Sequence, residues 1–249
     1  SKHAYKYCSK NLDIYIYMTN KKREIPKSNI HILEPEHING GVSNVCVKDS
    51  LSELVIFRKE EWFKVLIHET FHNYGLDFSD LMIDTLRKDF KKLFPIQSKM
   101  EIFESYTEFW AEFINICFIC YETVAQAKSN KEEKFMQLVR ELINIERSFS
   151  LFQCNKTLSF MNLEYEDLFR NNKISAIKRN NFYKEKTNVF PYYIIKTILF
   201  YFCEEFLIWN NNNNTSLLRF NKTTSNLQDF FTFVENKHNN DLLLQDMKK

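Results

Sequence analysis

The stretch Val65-Leu66-Ile67-His68-Glu69-Thr70-Phe71-His72-Asn73-Tyr74-Gly75 decides how the rest of the chain reads. Trp62, Phe63, Leu66, Ile67, Phe71 and Tyr74 recur at helical spacing, so an amphipathic helix is expected from about Glu60. Gly75 marks its end, because glycine is common just past a helix terminus. Within that helix His68 and His72 stand four residues apart, on one face, so both imidazoles reach a single cation. Glu69 points beside that cation, where it can take a proton from a bound water.

Outward from this helix the period changes. Upstream, strand-like runs are expected at Asp13 to Met18, Ile30 to Leu33, Val42 to Val47 and Leu54 to Phe57. Downstream nearly everything reads as helix: Ser79 to Leu93, about Lys99 to Ala127, about Lys131 to Phe152, and about Tyr192 to Trp209. The five consecutive Asn from Asn210 to Asn214 read as a disordered loop, followed by one or two short amphipathic helices. The expectation is an α+β chain: a single domain over residues 1–249. Residues 1–75 would form an N-terminal lobe, with a small mixed β-sheet and the His-bearing helix. Residues 76–249 would form a helical lobe.

Composition narrows the function. The chain has 249 residues, with 34 Lys+Arg against 32 Asp+Glu for a net charge of +2, which argues against nucleic-acid binding by bulk charge. Only three glycines occur, Gly40, Gly41 and Gly75, where an average composition would give about seventeen. That excludes a P-loop and a dinucleotide fingerprint, each of which needs several in one loop. Positive φ is expected at Gly75 and at one of the Gly40–Gly41 pair. Lys, Asn, Ile and Phe are favoured together, as in an AT-rich coding sequence, and the mix resembles proteins of large AT-rich DNA viruses. The longest apolar run, Val189 to Cys203, is interrupted by Lys196 and followed by Glu204 and Glu205, so no membrane segment is expected. No early stretch has signal-peptide order, and six scattered Cys suggest reduced, mostly buried thiols in an intracellular, cytoplasmic protein.

Zinc needs a third protein ligand and an open position for water. Asp77 and Asp80 lie close to the motif but out of register for a metzincin, whose third-ligand position is Phe78 here. The alternative source is the helix Glu101 to Phe113, where Glu104, Glu108 and Glu112 form a stripe at four-residue spacing among Phe103, Phe109, Trp110 and Phe113. Carboxylates facing aromatic surroundings are costly unless paired or bound to a cation. A solvated acidic face is the bland alternative.

The His-Glu-x-x-His helix, a connection of some thirty residues and the string Glu108-Phe109-Trp110-Ala111-Glu112 resemble the gluzincin zinc metallopeptidases. The second helix is similar to the glutamate helix of the anthrax lethal-factor type. That resemblance implies a zincin-like fold and a Zn2+ cofactor held by His68, His72 and Glu108. Ala111 would be the small packing position and Glu112 the acid supporting a zinc-bound His. A rival register within Glu104 to Glu108 makes Glu104 the ligand and Glu108 the supporting acid. The resemblance further implies peptide-bond hydrolysis with Glu69 as general base, on a protein or peptide substrate. That substrate would lie along an edge strand near Gly40 and Gly41. Tyr106, Tyr192, Tyr193 and His238 are candidates for steadying the oxyanion. Two other readings stay open: an inactive zincin-fold binding module, and a helical interaction protein without metal.

Overall fold

The structure, a computed structural model, describes residues 8, 10–46, 48 and 51–249. Its N-terminal part is a three-stranded mixed sheet in the order β1-β3-β2. Strand β1 (Asn11–Thr19) runs parallel to β3 (Leu51–Arg58), and β2 (Gly41–Ser43) runs antiparallel to it. The alternation of β3 sets its register: Ser52, Leu54, Ile56 and Arg58 are buried, while Leu51 and Glu53 face outward. Leu54 and Ile56 pack with Val65 into a small cluster under the sheet, closed by Leu12, Trp62 and Leu66.

The expected strand at Ile30 to Leu33 does not form. Leu33 makes a lone bridge to Glu185, and the chain instead runs through a short helix α1 (Pro35–Ile38) before β2. The expected third strand is also shorter, ending at Ser43, with Val47 outside the described residues. Positive φ among the glycines occurs at Gly75 alone, at +57°. Gly40 and Gly41 are required for a different reason. A Cβ on either would stand 2.8 Å from the Val65 side chain, so only glycine lets β2 press onto the following helix.

That helix, α2 (Trp62–Asn73), ends in a Schellman motif: Gly75 donates to the His72 carbonyl and Leu76 to the Phe71 carbonyl. It packs against α4 (Phe103–Ala125), which follows α3 (Asp84–Leu93). Next comes α5 (Lys131–Phe160), longer than the expected helix ending near Phe152. After α6 (Lys173–Phe182), a π-helical turn at Phe190–Ile195 leads into α7 (Lys196–Tyr201) and α8 (Cys203–Asn213). α9 (Thr224–Lys237) and α10 (Asp241–Asp246) close the chain. The larger core is aromatic: Phe78, Tyr106, Phe109, Phe206, Phe220 and Phe230 interlock mainly edge-on. Among the described residues no helix is long and apolar enough to cross a membrane.

Two expectations are corrected here. The Asn tract is not a loop. Its first four residues complete α8, and Asn210 is fully buried, accepting from the Tyr106 hydroxyl (3.1 Å) and donating to the Leu217 carbonyl (2.5 Å). An amide with buried partners is held by them whatever its neighbours in sequence. Asn210→Ala leaves those partners unsatisfied and is expected to cost about 2–3 kcal/mol in chemical denaturation. The thiols are not all reduced either. Cys8 and Cys46 form a disulfide, while Cys117, Cys120, Cys154 and Cys203 are free. The bridge ties residue 8 to the segment whose Cys46 amide donates to the His72 carbonyl at the end of α2. Cys46→Ser is expected to lower stability by about 2–4 kcal/mol, read as a fall in the guanidinium midpoint.

A candidate metal centre between two helices

The first helix and the glutamate helix meet at their His and Glu faces. His68 Nε2, His72 Nε2 and Glu104 Oε2 form a triangle with sides of 3.1, 3.2 and 3.2 Å. All three residues are buried. His68 Nδ1 donates to Glu108 Oε2 (2.8 Å), and His72 Nδ1 donates to Asp77 Oδ2 (2.5 Å). With their Nδ1 protons committed, both rings turn an Nε2 lone pair toward the other and toward a carboxylate oxygen. Three acceptors cannot converge in a dry site without a cation or protons between them.

Protons are one solution. Burial lowers the His68 pKa, but the carboxylates of Glu104 and Glu108 outweigh it and raise it to about 9. For His72 burial is likewise overcome, here by Asp77 and Glu104, and its pKa is raised well above the usual imidazole range. Glu104 is driven low despite its burial, by the two imidazoles. A divalent cation is the other solution, and the donors suit it. Bonds of about 2.0–2.1 Å in a tetrahedral site space neighbouring ligand atoms about 3.3 Å apart, close to the sides of this triangle. Each ring also carries a carboxylate on its far nitrogen, the arrangement that fixes a metal-ligating tautomer.

The geometry adopts the second register of the glutamate helix. Glu104, one turn earlier than Glu108, joins the imidazoles, also accepting from the Tyr192 hydroxyl (2.8 Å) and the Asn188 amide (2.9 Å). Glu108 does not reach the triangle; it bridges His68 Nδ1 and Lys64 Nζ (2.6 Å). Glu112 touches neither His and lies 3.6 Å from Lys64. The preference for Ala111 at the close helix contact pointed to Glu108. What decides the register is where α2 crosses α4, and that brings His68 level with the gap between Glu104 and Glu108.

Glu69 sits beside the triangle without joining it. Its Oε2 accepts from Ser43 Oγ (2.7 Å), and the same hydroxyl lies 3.2 Å from the Glu69 carbonyl. Gly40 and Gly41 line the same cleft, whose volume is about 240 Å³. Of the other candidates, Tyr192 is at the site. Tyr193 lines the cleft further along, the Tyr106 hydroxyl is spent on Asn210, and His238 packs far away on Phe94 and Phe169.

Asp77 is out of register for a metzincin ligand, and its partnership with His72 is what sequence reasoning misses. It is fully buried and accepts from His72, Ser79 and Thr107. The readable signal was Gly75: its left-handed turn folds the chain back, so that the residue two further on comes under the imidazole just ended. Phe78, the metzincin ligand position, lies wholly in the core. No protein-family profile, curated protein or solved structure matches the chain.

Proposed function

We propose that this protein is a zinc-dependent metallopeptidase of zincin type. The observation that carries the reading is the convergence of the two Nε2 lone pairs and the Glu104 oxygen, each ring backed by a carboxylate. His68, His72 and Glu104 hold the ion, and Glu108 and Asp77 keep both rings in the ligating tautomer. When bound, zinc supplies Lewis acidity toward a carbonyl oxygen and lowers the pKa of a water at its open position. Glu69 takes a proton at its Oε atoms and returns it to the leaving amine, with Ser43 holding the carboxylate in place. Two histidines and a carboxylate also suit iron. Glu69 weights the reading toward hydrolysis, because it is a further carboxylate beside the donors that is free to move protons.

The peptide substrate follows from the cleft wall. β2 is an edge strand, and an extended peptide pairs with such an edge through main-chain hydrogen bonds. Gly40 and Gly41 bring that edge down to Glu69: a Cβ on Gly41 would stand 3.1 Å from Glu69 Oε1. The test is elemental analysis of the purified protein, with a quenched fluorescent peptide library assayed before and after chelation. One zinc per chain and cleavage lost on chelation and restored by zinc are expected. Protein without stoichiometric metal, or cleavage indifferent to the chelator, would overturn the reading.

A further inference from the structure

Beyond the triangle the cleft continues between α4, α5 and the π-helical turn, and its charges do not balance. Three cations there pair off: Arg23 with Glu61 (2.9 Å), Lys64 with Glu108 (2.6 Å), and Lys196 with Glu146 (2.8 Å). One carboxylate, Glu112, is left over. Its nearest cation is Lys64 at 3.6 Å, and among the described residues nothing hydrogen-bonds to it. Tyr193 and Gln153 line the same cleft as Glu112, and among the described residues the Tyr193 hydroxyl and the Gln153 side-chain amide have no hydrogen-bond partner. Phe149, half exposed, flanks them.

A surplus carboxylate with only 16% of its side chain exposed is costly until a cation joins it. The Glu112 carboxyl reflects this: burial, with Glu146 and Glu108 adding, holds its pKa up at about 7 against the pull of Lys64 and Lys196. Two further polar groups and an aromatic face are what an ammonium or guanidinium group uses once its charge is met. Distance selects the kind of cation. Glu112 is eight residues beyond Glu104 on one helix, about 12 Å along its axis. The α-amine of a residue at the scissile bond falls short of that. A Lys side chain, about 6 Å from Cα to Nζ, reaches it when its residue lies about two positions along an extended peptide from the scissile bond.

We propose that the arm around Glu112, Gln153 and Tyr193 is a specificity pocket for a Lys or Arg side chain of the substrate. This rests on the peptidase reading, and binding is therefore measured apart from cleavage. The probe is a set of blocked tetra-alanine peptides carrying Lys at one of the four positions, each with its norleucine counterpart. They are titrated calorimetrically into the zinc-loaded Glu69→Gln protein. At one position Lys is expected to bind about tenfold or more tighter than norleucine. Glu112→Gln in that background is expected to erase the difference. Gln153→Glu, which adds a second carboxylate, is expected to widen it, and serves if Glu112→Gln does not fold. Equal affinity of Lys and norleucine peptides at every position, or no binding by either, overturns the pocket. So does a Lys preference that both variants leave unchanged. Discrimination in these titrations, with a parent protein that cleaves no peptide of the library, would sink the peptidase reading and keep the pocket. Cleavage without discrimination would do the reverse.

Discussion

Glu69→Gln is expected to keep its zinc and lose peptide hydrolysis by about 10²–10⁴-fold, almost all of it in kcat. The substitution keeps the shape of the side chain, and the Gln oxygen can still accept from Ser43. The fold around it should hold, because Val65, His68 and Phe71 keep their own packing on β3 and α4. What goes is an acceptor basic enough to take a proton and return it. Glu69 is outside the triangle of His68, His72 and Glu104, so metal content is expected to match the parent. A variant that loses the metal would make Glu69 a ligand. One that cleaves at the parent rate would remove it as the base. Kinetics on the best library peptide, with elemental analysis of the same sample, reads both outcomes.

The second large effect separates the two registers of the glutamate helix. Glu108→Gln is expected to weaken zinc affinity by about 10–100-fold, the usual cost of losing the partner behind a ligating His. Glu104→Gln is expected to cost well beyond that range. The one oxygen left on Gln can face the ion and Tyr192 or accept from Asn188, not both, and a neutral amide oxygen is a weaker ligand than a carboxylate. Competition with a chromophoric chelator at fixed pH measures both constants. If Glu108→Gln proves the more damaging, Glu108 reaches the ion and the crossing of α2 over α4 differs from the one described.

Much of this was legible along the chain. The sheet, the helix from Trp62 and the long glutamate helix follow from periodicity, because a buried stripe leaves its spacing in the sequence. The two His and the Glu between them needed only the helical repeat. Less legible were features that depend on partners distant in sequence. The Asn tract from residue 210 has the composition of a loop, and its first residue is drawn into the core by Tyr106 and Leu217. Cys8 pairs with Cys46 because the fold brings them together, although nothing in their spacing asks for it.

The sequence by itself therefore determined the chemistry available: two imidazoles on one helical face, an acid beside them and a second helix with acids every four residues. Local periodicity suffices for that, since residues four apart on a helix are neighbours in any fold. Only the tertiary structure decided which acid goes where. Glu104 meets both imidazoles, Glu108 backs His68, Asp77 backs His72, and Glu112 is left without a cation of its own. All three glutamates lie on the same stripe, so their spacing treats them alike. They are told apart by the height at which α2 crosses α4 and by the turn at Gly75, which depend on packing across the molecule.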